Sequence, residues 1–280
     1  MKPILVPTDF SEGSYNAAKY ALELANATKA KIILLHIYQV PIPPQEMYIS
    51  PVLISDLHEA SMERLKKMAD FELNINQDVT DLEIQYEAIA GMVVSEINEA
   101  AEKYKAGLII MGTQGASGLI EKYILGSNTA KVIAKSSCPV LAVPERAKYL
   151  GLKRIGFAAD FHEIKNNSSL DPLVEIALLF ESEILIFFVR KNENEIPSMS
   201  QAVEGLNLNT VFEHITHSFH TAVSEEIVEE IDKFVGENHL DLLVTMPQKH
   251  SYFELIFNKS VTRNLVFHAN TPILSLQGNQ

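Results

Sequence analysis

The sequence repeats itself. Ile4-Leu5-Val6-Pro7-Thr8-Asp9-Phe10 returns as Ile155-Gly156-Phe157-Ala158-Ala159-Asp160-Phe161, each followed by a polar loop and then an apolar-periodic segment. Lys31-Ile32-Ile33-Leu34-Leu35-His36-Ile37 is echoed by Glu183-Ile184-Leu185-Ile186-Phe187-Phe188-Val189. Leu108-Ile109-Ile110-Met111 matches Leu242-Leu243-Val244-Thr245, and Cys138-Pro139-Val140-Leu141-Ala142-Val143 matches Thr271-Pro272-Ile273-Leu274-Ser275-Leu276. Four matching segments in one order read as two copies of a single domain. The join is expected between Pro144 and Gly151, where charged and small residues interrupt the apolar pattern, giving domains of residues 1–147 and 148–280.

Within each copy short apolar runs alternate with helical patterns, which predicts an α/β fold: an open, twisted parallel sheet with helices on both faces. In the first copy strands are expected near 2–7, 31–37, 82–89, 107–112 and 138–143, with helices over 12–28, 54–74, 92–104 and 126–136. Ala17, Ala18, Ala21, Leu22, Leu24 and Ala25 form one apolar stripe, and Ser11 stands where an N-cap belongs. In the second copy, residues 191–208 read as a loop with at most a short helix, followed by a strand near 209–216 and a helix over 221–237.

Charge and hydropathy narrow the partners. A net charge of −13 repels phosphate backbones and acidic membrane surfaces, so neither nucleic acid nor membrane is expected as a partner. No apolar run approaches the roughly 18–20 residues of a membrane span. The opening segment meets Asp9 and Glu12 too early for a signal peptide. The single cysteine, Cys138, excludes an internal disulfide framework, and a reducing cytoplasm is the natural compartment.

Glycine is concentrated. Gly112, Gly115, Gly118 and Gly126, a third of the chain's 12, lie between the strand ending at Met111-Gly112 and the helix opened by Ser127-Asn128-Thr129. A phosphate chain needs close-packed backbone N–H donors that a Cβ would obstruct, and a helix N-terminus adds a favourable dipole. In an open parallel sheet, ligands settle beyond the carboxyl ends of the strands, where Asp9 and the backbone of Ile37 also lie.

The segment resembles the nucleotide loop of the universal stress protein family, Gly-x2-Gly-x9-Gly-Ser/Thr. Val6-Pro7-Thr8-Asp9-Phe10-Ser11, Leu34-Leu35-His36-Ile37 and the Cys138–Val143 ending resemble its opening, second and final strands. The resemblance covers nearly the whole chain, as a tandem member. It implies a Rossmann-like fold of the adenine-nucleotide alpha-hydrolase type in each half, paired through the last strands as an internal pseudo-dimer that can dimerise again. It also implies an adenine-nucleotide ligand, ATP or AMP, with a divalent cation such as Mg. Pro7, Thr8 and Asp9 would approach the adenosine, with Asp9 at the ribose, and the Ile37 backbone would read the adenine edge. Met111, Gly112, Gly115, Gly126, Ser127 and Asn128 would line the phosphates. The spacing departs from the family's, since ten residues separate Gly115 from Gly126.

The second copy lacks this loop: Pro247-Gln248-Lys249-His250 follows its fourth strand, and Lys259-Ser260-Val261-Thr262 replaces the Gly126–Thr129 segment. Its side chains and a proline without an N–H remove the cradle, so no triphosphate is expected there. His214, His217 and His220 form the sole histidine cluster; on one strand, residue 217 would oppose the other two and three ligands would not converge. His36 reads as a satisfied core or domain-interface histidine, and Cys138 as an inert thiol without a positive neighbour. With no Gly-x4-Gly-Lys-Ser/Thr and no arginine in the glycine segment, the expected action is binding rather than turnover, with an unidentified protein partner. The alternatives are a scaffold of the same fold that binds no nucleotide and a nucleotide hydrolase; the absence of a Ser-Gly-Gly-x-Asp-Ser loop after the first strand opposes the latter.

Overall fold

The computed structural model describes residues 1–40, 51–75, 82–113, 126–159, 167–190, 207–246 and 270–277. The first half runs β1 (Ile4–Thr8), α1 (Glu12–Thr28), β2 (Ile32–Tyr38), α2 (Pro51–Ile75), β3 (Ile84–Ala90), α3 (Val93–Lys103), β4 (Leu108–Gly112), α4 (Ser127–Lys135) and β5 (Val140–Val143). The second runs β6 (Arg154–Ala158), α5 (Asp171–Phe180), β7 (Glu183–Arg190), β8 (His217–Val223), α6 (Ile227–Glu237), β9 (Leu242–Thr245) and β10 (Ile273–Ser275). All ten strands form one sheet in the order β3-β2-β1-β4-β5-β10-β9-β6-β7-β8. Each half repeats the same strand order, and every neighbouring pair is parallel except the central one. There β10 meets β5 antiparallel, Leu274 opposite Leu141, and the last strands of the two copies join as the family resemblance implies.

Central strands of a parallel sheet are covered on both faces and must be apolar throughout. Ile4, Leu5 and Val6 are all fully buried, and they alternate between two cores. One core is continuous across both halves: Ile4, Val6, Ile110 and Val143 join Ile155, Phe157 and Val244 beneath α1, α2 and α5. The opposite face carries two separate clusters. Leu5, Ile33, Ile109 and Val140 pack under Ile97 of α3 and Val132 of α4. Leu185, Phe187 and Leu243 pack under Ile231 and Phe234 of α6.

The connection between the halves is tied to both. Asn16 of α1 donates its amide to the Pro144 and Ala147 carbonyls at 2.7 and 3.0 Å. Tyr149 meets Tyr20 of α1 edge-on at 5.3 Å and Phe180 of α5 at 6.4 Å.

One stretch departs from expectation. The strand expected near 209–216 lies at His217–Val223, and the helix expected from 221 begins at Ile227. Residues 207–211 are instead helical, because Leu208, Phe212 and Ile215 recur at helical spacing and all three enter the continuous core. Residues 191–206, expected as a loop, lie outside the described residues, as do Asp160, the 247–250 segment and the 259–262 segment. Among the described residues no helix is long and apolar enough to cross a membrane.

Candidate functional site

Strand order reverses between β1 and β4, the switch point at which open α/β sheets leave a crevice. Here the ladder between the two strands is also cut short for a covalent reason. The Ile4 N–H bonds the Lys31 carbonyl, so even residues of β1 face β2, and Leu5 and Pro7 face β4. Pro7 has no N–H to continue that ladder. The β1–β4 register accordingly stops at Leu5 opposite Ile109, although β1 extends to Thr8 and β4 to Gly112. In the second half Ala158 replaces Pro7, and the β6–β9 ladder runs on to Ala158 opposite Thr245. The β1–β4 ladder is therefore shorter than its counterpart in the second half.

The turn after β1 is fixed by a chain of hydrogen bonds. Ser14 Oγ lies within hydrogen-bond reach of the Ser11 carbonyl and of the buried Thr8 hydroxyl, both at 2.9 Å, and Thr8 Oγ1 accepts the Phe10 N–H at 3.0 Å with Met68 Sδ 3.6 Å away. Asp9 Oδ1 accepts the Ser11 N–H at 3.0 Å and the Ser11 hydroxyl. Ser11 is the α1 N-cap the sequence predicts, its side chain accepting the Ser14 N–H at 3.3 Å. Asp9 itself is exposed on the rim.

Ile37 lies at the end of β2 with its backbone turned to the β1 side, because even residues of β2 face β3, as the Ile32 N–H to Glu83 carbonyl bond shows. In register, its carbonyl would meet the Phe10 N–H. That donor goes to Thr8 Oγ1 instead, leaving the carbonyl without its ladder partner.

His36 is satisfied, but it lies at this rim and not at the domain interface. Its Nδ1 donates to the Thr8 carbonyl at 2.8 Å, and its ring lies 4.5 Å from that of Phe10. Burial holds the imidazole below the ordinary histidine value and Arg64 pushes the same way, against the Thr8 carbonyl and Asp9.

On the β4 side, the residues of the glycine segment have different tasks. A Cβ on Gly112 would stand 2.6 Å from the Gly13 carbonyl oxygen, so this glycine lets the N-terminus of α1 lie against β4. Met111 buries its side chain and offers only backbone to the rim. The Gly126 N–H donates to the Thr113 carbonyl, which ties the start of α4 to the residue after β4. Gly126 is also the N-cap of α4 and has no side chain with which to cap it. The amides of Ser127, Asn128 and Thr129 therefore form a first turn unserved by its own cap residue, with Ser127 and Asn128 exposed. Thr129 Oγ1 donates to the Gly112 carbonyl at 2.8 Å and ties that turn to the end of β4. Gly115 lies outside the described residues. A first helical turn whose amides its cap residue leaves unserved, beside a shortened ladder at the switch point, has the chemistry to receive an anion.

The structure thus brings together Pro7, Thr8, Asp9 and Ile37 on one side and Met111, Gly112, Gly126, Ser127 and Asn128 on the other. Phe10 and Arg64 are the residues that sequence reasoning misses: Phe10 lies inside the opening motif, whereas Arg64 carries no signal in the sequence.

The histidine cluster does not converge. His214 precedes β8 and pairs with Glu213, while His217 and His220 stand on opposite faces of that strand. His217 bonds the Ile215 carbonyl and Asn209 Oδ1; His220 bonds Ser218 Oγ. No group of three metal-ligating side chains occurs among the described residues. The Cys138 thiol donates to the Ala106 carbonyl at 3.3 Å. Burial pushes it up to about 12, although Lys2, a positive neighbour the sequence did not show, acts in the other direction.

The model of the universal stress protein family matches residues 1–144. Over 153 residues the chain is 36% identical to a universal stress protein of Methanocaldococcus jannaschii, covering 52% of this chain and 84% of that one. A universal stress protein of Thermus aquaticus is 30% identical over 142 residues, 51% of this chain and 98% of the other. The crystal structure of a universal stress protein from Archaeoglobus fulgidus aligns over 98% of both chains with a TM-score of 0.74 at 20% identity, so the likeness in fold extends through both halves.

Proposed function

The chain belongs to the universal stress protein family, and on that premise we propose that its first domain, residues 1–147, binds one adenine nucleotide, ATP with Mg, while the second, residues 148–280, binds none. The contrast between the two switch points carries this reading: the β1–β4 pairing ends at Leu5–Ile109, whereas the β6–β9 pairing runs on through Ala158–Thr245. Asp9 takes the ribose hydroxyls and the Ile37 carbonyl accepts the adenine amino group. The phosphates lie against Gly112, Gly115 and Gly126 and the amides of Ser127 and Asn128, with Pro7, Thr8 and Met111 as the backbone floor. The cation supplies positive charge that offsets the phosphates in a chain of net charge −13.

The domain acts in the stress response by occupancy. Nucleotide binding favours one arrangement of the rim and changes the surface offered to a protein partner in the cytoplasm, without requiring turnover. Chromatography of the supernatant from heat-denatured, purified protein tests the reading. We expect ATP or AMP from the wild type and the Asp160→Ala variant, and none from Asp9→Ala. Equal loss from the Asp160 change contradicts the one-site assignment, and absence of nucleotide from all three favours a scaffold of the same fold.

A further inference from the structure

Among the described residues, five that are not glycine adopt positive φ. Lys29, Lys105, Glu181 and His239 stand at or just beyond the C-termini of α1, α3, α5 and α6, where a left-handed residue closes the helix. Phe10, at φ 61, is the exception. It occupies the β1–α1 turn, and a bulky residue holds that conformation only when its surroundings enforce it.

Two side chains from other elements do so. The His36 ring of β2 lies 4.5 Å from the Phe10 ring, fixed by its own bond to the Thr8 carbonyl. The Arg64 guanidinium of α2 lies over the same ring, 3.9 Å from its centroid. The left-handed turn removes the Phe10 N–H from the β1–β2 ladder and delivers it to Thr8 Oγ1. Had Phe10 continued the strand, its N–H would have met the Ile37 carbonyl.

We propose that Phe10, held left-handed by His36 and Arg64, is a positioning residue for base specificity: it keeps the Ile37 carbonyl open as an acceptor for an exocyclic amino donor. The inference rests on the nucleotide reading above and names what would set its preference. A purine bearing 6-amino is accepted; one bearing 6-oxo presents an acceptor to an acceptor and is disfavoured.

The experiment measures Kd for Mg-ATP and Mg-ITP on the full chain, with tripolyphosphate as a probe that lacks a base. Wild type is expected to prefer ATP by about two- to tenfold or more, the range of one ordinary hydrogen bond. Arg64 is exposed, so Arg64→Gln leaves the core intact. It should narrow the ATP/ITP ratio by about two- to fivefold, the worth of one exposed cation–π contact, with tripolyphosphate unchanged. Phe10→Ala should narrow the ratio further, and Phe10→Gly less, because glycine adopts the left-handed turn without penalty. Equal ratios in the alanine and glycine variants, or a ratio untouched by Arg64→Gln, overturn the inference while nucleotide binding stands. A wild type that binds neither nucleotide overturns the nucleotide reading itself, and this proposal with it.

Discussion

Gly112→Ala separates packing from ligand contact at the end of β4. The new methyl would stand 2.6 Å from the Gly13 carbonyl oxygen and 2.7 Å from its carbonyl carbon, with the Ser14 nitrogen at 3.2 Å. Ordinary van der Waals contact begins near 3.4 Å, so α1 and β4 must part by about 0.8 Å. The obstructing atoms belong to the backbone at the start of α1, where Ser11 and Ser14 are already hydrogen-bonded, and no side chain can rotate away. Overpacking of this kind costs about 1–3 kcal/mol. At about 2–4 °C per kcal/mol for a protein of this size, the unfolding midpoint should fall by about 2–12 °C in thermal denaturation followed by circular dichroism. Gly126→Ala is the matched control. Gly126 sits at φ −55, ψ 144, open to any residue, and loss of the glycine cap costs within about 1 kcal/mol. A Gly112→Ala protein as stable as wild type would refute the reasoning that this glycine exists for the α1–β4 approach.

Other outcomes follow from the same geometry. Asn16→Ala removes two hydrogen bonds to the connection between the halves and should cost about 1–3 kcal/mol, read as a shift of the urea midpoint. Thr129→Val releases the α4 first turn from Gly112 and should weaken Mg-ATP binding with a stability loss of about 1 kcal/mol, compared by titration and melting. His36 titrates lower in the folded chain than in the unfolded one, so the unfolded state binds the extra proton as pH falls through the ordinary histidine range. Stability should therefore decline below about pH 6.5, and less steeply in His36→Gln, when denaturation midpoints are compared from pH 7.5 to 5.5.

The positions of the central strands along the chain are readable because such strands have no polar alternative: Ile4-Leu5-Val6 and Leu108-Ile109-Ile110 must be buried on both faces. The Ser11 cap was readable for a local reason, since its bond reaches only to Ser14. The 207–223 region was not. Leu208, Phe212 and Ile215 suit either a helical turn or part of a strand, and β8 is an edge strand whose half-polar His217-Ser218-Phe219-His220 run lacks the core signature. Proximity across the chain was also hidden. Arg64 comes to Phe10 only because α2 packs across β2, and Gly112 faces Gly13 only because α1 crosses the end of β4. Pro7 was named from its motif, but its effect, ending the β1–β4 ladder, depends on which neighbour odd residues face.

Isothermal titration of the intact chain with Mg-ATP tests the central claim most directly. One site per chain, lost in Asp9→Ala and kept in Asp160→Ala, is the predicted result; two sites, or none at millimolar nucleotide, would contradict it.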